Sequence, residues 1–85
     1  VIKVARIDGD RILVGFAVSR AVGGAVVRNT VKRRLRAILR TMLPDIPHGR
    51  AVLVRALPPS ATASYSLLEG DVREAATRAL GKVAP

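Results

Sequence analysis

Ala25-Val26-Val27-Arg28-Asn29-Thr30-Val31-Lys32-Arg33-Arg34-Leu35-Arg36 carries two opposed chemistries, and its reading decides the fold. Wound as a helix at about 100° per residue, the segment brings Val27, Leu35, Ile38 and Met42 to within about 40° of Val31, a narrow apolar stripe of the kind that packs on a core. Asn29, Arg33, Arg36 and Arg40 gather within about 40° of the opposite pole. Arg28 and Arg34 flank the stripe, where alkyl stems cover the edge of the core while guanidinium groups reach outward. The helix is docked on one side and cationic on the other.

A run of charge is commonly no more than a solvated face. A solvated helix, however, mixes Glu with Lys or Arg at i,i+4, because like charges at that spacing repel. Between Arg20 and Arg40 there are seven basic residues and no acidic one. Arg28, Lys32, Arg36 and Arg40 stand at successive i+4 steps with no carboxylate to relieve them. Such a helix calls for a polyanion. Arg outnumbers Lys five to one in residues 28–40, which favours phosphate, whose oxygens fit the guanidinium fork.

The 85 residues suffice for one domain over 1–85, and a hydrophobic share of 49% argues for a folded core despite a formal net charge of +9. The charge is local: residues 1–19 carry +1, residues 20–40 carry +7, residues 41–59 carry +1 and residues 60–85 are balanced. That clustering is the electrostatic footprint of a nucleic-acid binder. Without cysteine there is neither a disulfide framework nor a thiolate metal site, as suits a reducing compartment. No apolar run is long enough to span a bilayer and no signal segment opens the chain. A cytoplasmic location without a membrane partner is expected. The chain begins on the strand-like Val1, so an N-terminal piece is expected to be missing.

Outward from the basic helix, residues 2–7 and 11–19 are rich in β-branched side chains and are joined by Asp8-Gly9-Asp10, a connection suited to a hairpin. In the second of these, Ile12, Val14, Phe16 and Val18 share one face and Leu13, Gly15, Ala17 and Ser19 the other. Both faces are largely apolar, which predicts a central strand. Gly23-Gly24 breaks the pattern before the helix, and Pro44 stops the helix near Met42, because a residue preceding proline avoids the α region. Residues 44–49 form a turn-rich loop, residues 51–56 a short buried strand, and Pro58-Pro59 its end. Ser66 with Glu69 predicts a capping box for a last helix in which Leu68, Val72, Ala75 or Ala76, Ala79 and Val83 recur at helical spacing. Gly81 is its expected terminator.

Catalytic chemistry is not evident. His48 is the only histidine, sits in the proline-rich loop and has no nucleophile placed beside it. Asp8 and Asp10 beside Gly9 read as turn formers rather than a metal pair. Gly23-Gly24 reads as a strand-to-helix breaker rather than a phosphate cradle. Phe16 and Tyr65 are too far apart to make a base-stacking platform, and Phe16 reads as core. No catalytic residue and no metal ligand is assigned.

The stretch Val22-Gly23-Gly24-Ala25-Val26-Val27-Arg28-Asn29-Thr30-Val31-Lys32-Arg33-Arg34-Leu35-Arg36 closely resembles the signature helix of the bacterial ribonuclease P protein subunit. Val14 to Arg20 and Val52 to Arg55 are similar to the family's strands, so the resemblance covers residues 11–57 well and the remainder by pattern. There are two departures. Thr30 stands where the family's Arg-Asn-Arg motif has its second arginine, and the family begins with a helix that walls a cleft over the sheet, whereas this chain starts after it.

The resemblance implies an α+β sandwich of a mostly antiparallel sheet packed with helices, in the ribosomal protein S5 domain 2-like class, with a left-handed βαβ crossover at the basic helix. Periodicity could not supply that handedness, because right-handed crossovers are the overwhelming default. It further implies an RNA-binding protein cofactor of a ribonucleoprotein endoribonuclease. In that enzyme Mg2+ held with the catalytic RNA removes the 5′ leader of precursor tRNA by hydrolysis. Arg28, Asn29, Lys32, Arg33 and Arg36, with Arg40 at the same pole, would face the catalytic RNA. Ser19, Arg20 and Arg55 would lie near the cleft that holds the leader. A ribosomal or other structural RNA-binding protein shares the charge pattern and differs only in the ordered motif. A membrane-surface helix is disfavoured by an aliphatic face without Trp or Phe anchors.

Overall fold

The computed structural model describes the backbone of residues 1–83 and the side chains through Gly81. Strands β1 (Ile2–Arg6) and β2 (Ile12–Val18) precede helix α1 (Ala25–Met42). A short 3-10 turn (Leu43–Asp45), strand β3 (Arg50–Ala56), a second 3-10 turn (Pro58–Ala61) and helix α2 (Tyr65–Val83) complete the chain. The sheet is mixed and its order is β1-β3-β2. β3 pairs antiparallel with β1, Lys3 opposite Leu53, and parallel with β2, Gly15 opposite Leu53. The basic helix is therefore the crossover between two parallel strands, where the resemblance put it.

Two expectations about the sheet are corrected. β1 and β2 run antiparallel but are not a hairpin, because β3 lies between them, and the central strand is β3 rather than β2. The turn signal at Asp8-Gly9-Asp10 specified reversal, not adjacency. What fills the gap is Gly49: the Ile7 N–H donates to Gly49 O at 3.0 Å, and the Gly49 and Arg50 N–H groups donate to Arg11 O at 2.9 and 3.2 Å. Gly49 is buried with φ +78°, and a Cβ there would stand 2.9 Å from the Gly9 carbonyl oxygen. Backbone packed on backbone leaves room only for glycine.

Both helices cover one face of the sheet, α1 against β2 and α2 against β1. Val52, Val54 and Ala56 of β3 are buried there, with Ile2, Val4, Ile12, Val14, Phe16 and Val18 partly buried around them. The other face stays open: Leu13, Leu53, Ala5 and Ala17 are exposed. The apolar character of both faces of β2 thus marks an uncovered sheet surface, not a central position.

Helix α1 buries Val31, Leu35, Ile38 and Met42 as expected, and Leu39 in addition. The stripe is wider at its C-terminal end than the wheel indicates, since Ile46 and α2 close over that side. Val27 falls outside the core, half exposed and packed over Gly23, where a Cβ would lie 2.9 Å from that of Val27. Helix α2 starts earlier than its capping box predicts. Ser64 is the cap, its Oγ accepting from the Leu67 N–H at 3.2 Å while its carbonyl accepts from Leu68 at 3.0 Å, so two N-terminal donors are satisfied and Ser66 lies inside the helix. Leu68, Val72 and Ala76 are buried, and Ala75 and Ala79 are half-buried. The side chain of Val83 lies outside the described residues. The helix runs through Gly81 rather than ending there, because a helical glycine costs only about 1 kcal/mol relative to alanine.

Leu35 is 1% exposed and sits at the centre of the core. Leu35→Ala is expected to cost about 2–5 kcal/mol through the cavity it leaves, measured by denaturant titration. Gly49→Ala is expected to cost more than about 1 kcal/mol from the positive φ and the contact with Gly9 together.

Candidate nucleic-acid interface

Burial of the apolar stripe fixes the rotation of α1 and so places every cation on it. Asn29, Arg33, Arg36 and Arg40 are exposed along the outward face, while Arg28 and Lys32 are half-buried on its flanks. Two i,i+4 ion pairs lie on α2, between Arg73 and Glu69 and between Arg78 and Glu74, and neither involves α1. The helix has no acid in its first turn and no side-chain cap on Gly24. Only Arg40, in the last turn, is placed favourably with respect to the helix dipole. Repulsion along the i+4 row, at about 0.2–0.5 kcal/mol per pair, meets no ion pair among the described residues. Packing, not surface electrostatics, holds the helix in place.

Arg34 differs from its neighbours. It does not reach outward as its place on the wheel suggests. Its Nη1 donates to the carbonyl of Ala63 at 3.2 Å, partly buried, and ties α1 to the segment leading into α2. A second tie joins the helices farther along: Arg73 Nη2 donates to Thr41 Oγ1 at 3.0 Å, and that hydroxyl donates to Ile38 O at 2.7 Å. The Thr30 hydroxyl is turned back on its own helix, donating to Val26 O at 3.0 Å. It offers no cation where the resembled motif has one. The Nε of Arg28 is shielded from solvent and has no partner among the described residues.

The other group of predicted residues lies elsewhere. Ser19 directly follows β2, Arg20 occupies the turn into α1, and both are exposed. Arg55 is exposed on β3 opposite Ala17, on the open side of the sheet. That side holds a shallow depression of about 570 Å³ lined by Lys3, Ala5, Leu13, Gly15, Ala51 and Leu53. Lys3 is a cation on this surface that sequence reading passed over; its alternation with Ile2 and Val4 was the available signal. The structure thus separates the predicted residues into two surfaces on opposite layers, the outer face of α1 and the open face of the sheet, joined at β2 by residues 19–24. A larger groove of about 1070 Å³ runs between β1 and α2, past Leu57, Leu67 and Asp71.

Comparison with known proteins bears on this geometry. A family model described as Ribonuclease P matches residues 1–80. The ribonuclease P protein component of Beutenbergia cavernae is 58% identical over 73 residues, covering 85% of this chain and 61% of that protein. That of Kocuria rhizophila is 45% identical over 84 residues, covering 99% of this chain and 74% of that protein. The chain therefore spans only part of the length of these relatives. Among solved structures, the RNase P protein of Staphylococcus aureus superposes with a TM-score of 0.83 at 22% identity, covering 92% of this chain and 72% of that one. The Thermotoga maritima RNase P protein gives 0.79 at 22% identity, covering 91% and 74%. These two likenesses establish the fold.

The inward and outward arginines of α1 should fail in different ways. Arg34→Ala is expected to lower stability by about 1.5–3 kcal/mol, the worth of one charged donor's hydrogen bond, with the salt dependence of RNA binding unchanged. Arg33→Ala with Arg36→Ala should leave stability within about 0.5 kcal/mol per site. It should also flatten the log–log salt dependence by roughly 0.7–0.9 per lost phosphate contact. Thermal melts and salt-titrated binding on both variants measure the difference.

Proposed function

The chain belongs to the ribonuclease P protein family, and from that premise we propose that it is the RNA-binding protein subunit of ribonuclease P. In this role it acts in the cytoplasm with a catalytic RNA to remove the 5′ leader from precursor tRNA. The observation that carries the reading is the outer face of α1, where Arg33, Arg36 and Arg40 are exposed and no acidic residue shares the helix. Guanidinium groups on a rigid helix bind the phosphates of a folded RNA bidentately. Counterion release then supplies affinity that is strongest at low salt.

The division into two surfaces supports a division of labour. The outer face of α1 takes the catalytic RNA through Arg28, Asn29, Lys32, Arg33, Arg36 and Arg40. The open sheet face, with Lys3 on the edge strand β1, Arg55 on the central strand β3 and Ser19 and Arg20 just past the end of β2, takes the leader of the substrate. Hydrolysis belongs to Mg2+ held with the RNA. Among the described residues no group of three or more His, Cys, Asp or Glu side chains could hold a metal ion, and no step is assigned to an ion bound by this chain. What the chain contributes is neutralisation of phosphate repulsion between two large polyanions. The family match favours this reading over a ribosomal role.

Addition of the purified chain to ribonuclease P RNA is expected to raise cleavage of precursor tRNA at low magnesium, and the effect should shrink as magnesium rises and takes over phosphate screening. No stimulation at any magnesium concentration, or cleavage by the chain freed of RNA, would refute the proposal.

A further inference from the structure

The outer face of α1 is not uniformly cationic. Val26 stands about 40° from the centre of the polar pole, one turn before Asn29 and two before Arg33, and it is 80% exposed. No other large apolar side chain among the described residues is as exposed, the next being Leu67 at 58%. Single exposed apolar residues are ordinary on protein surfaces. Val26, however, serves nothing in the fold. It lies outside the core, it is β-branched in a helix where a straight-chain polar residue would be more favourable, and its backbone carbonyl is occupied by the Thr30 hydroxyl whatever the side chain. Beside it, Gly24 is open, with no atom within 4 Å of where a Cβ would stand.

The face therefore changes character along its length. The C-terminal part, Arg33, Arg36 and Arg40, is charged. The N-terminal part, Val26 and Asn29, is neutral, and at i,i+3 these two side chains are neighbours on the helix surface. No hydrogen bond or ion pair within the described residues engages the Asn29 side chain. Its amide both donates and accepts. Phosphate contacts position a protein on a nucleic acid without informing it of what it holds, whereas contacts to sugars and base edges discriminate. The wide, shallow minor groove of an RNA helix presents ribose carbons, 2′-hydroxyls and base edges together. An apolar side chain beside a free amide matches that surface.

Resting on the assignment of this face to RNA, we infer that Val26 and Asn29 form a neutral recognition patch. The patch takes the sugar and base-edge surface of the RNA while the arginines beyond it hold phosphates. Val26 is then a specificity-determining residue whose contribution does not depend on salt.

The test is salt-titrated binding of the full chain to ribonuclease P RNA and, separately, to a DNA duplex of similar length. Val26→Ala, which raises helix propensity and touches no core residue, should bind the RNA more weakly by about fourfold for each methyl group lost from contact. The log–log slope and the affinity for DNA should match the parent, and Val26→Leu should retain full RNA affinity. Asn29→Ala should likewise narrow the preference for RNA over DNA. RNA binding by Val26→Ala equal to the parent, or a loss of equal size on DNA, overturns the inference. Arg33→Ala with Arg36→Ala is measured alongside. If that variant also binds RNA with unchanged affinity and slope, the assignment of the helix face to RNA fails. If it weakens binding while Val26→Ala does not, the neutral patch alone is rejected.

Discussion

Everything outside the core depends on how α1 is clamped about its own axis. Val31, Leu35 and Ile38 are the largest side chains removed almost wholly from water. At 25–30 cal/mol per Å² their burial outweighs, by several kcal/mol, the few tenths per pair lost to like-charge repulsion on the far side. A rotation of the helix by one residue would expose part of that stripe and bury an arginine without a partner, which costs more than either term alone. The orientation of Arg33, Arg36 and Arg40 is thus set by aliphatic packing beneath them. The charged surface is preorganised by residues that never touch it.

The sheet provides the complementary constraint. Because β3 enters between β1 and β2, the basic helix must leave one edge of the sheet and return the chain to its middle, so α1 lies across β2 while α2 takes the β1 side. Both helices end on one face, and the other is left with small and aliphatic side chains and two cations, Lys3 and Arg55. This arrangement depends on Gly49, whose N–H and C=O bridge the ends of β1 and β2 where a side chain would meet the Gly9 carbonyl. A glycine at the end of the molecule remote from the 19–24 turn thereby determines that two distinct surfaces exist.

Helix α1, its apolar stripe from Val31 to Met42 and its stop before Pro44 were legible because each depends on neighbours within a few residues. Membership of the family was legible from the ordered motif between Val22 and Arg36. The order of the strands was not. Asp8-Gly9-Asp10 specifies only that the chain turns, and the strand that pairs with both sides arrives about forty residues later. The same limit hid the openness of one face of β2, since apolar residues on two faces look alike whether a strand is enclosed or lies on an uncovered sheet. The cap of α2 was displaced by two residues, because Ser66 with Glu69 completes the capping-box pattern whereas Ser64, which caps the helix, is followed at the third position by Leu67 and carries no such signature. Within the site, sequence periodicity located the outward arginines but could not show that Arg34 is captured by the Ala63 carbonyl. That acceptor becomes a neighbour only once α2 has docked.

The capture of Arg34 changes how the basic helix should be understood. An arginine run that repels itself is usually treated as a cost borne for the sake of a polyanion. Here one member of the run also contributes to the fold, as does Arg73 reaching from α2 to Thr41. On one flank of the apolar stripe the Arg34 guanidinium finds a carbonyl acceptor across the helix interface, whereas on the other flank the Arg28 Nε is buried without a partner and the outward Arg33, Arg36 and Arg40 find none among the described residues. Whether a docked element offers an acceptor on that side of the helix sorts chemically identical side chains into braces and contacts. Substitution of every arginine by lysine would preserve the net charge and lose that sorting, because an ammonium group is a point charge without the planar fork that lets a guanidinium hold an internal carbonyl or grip a phosphate bidentately.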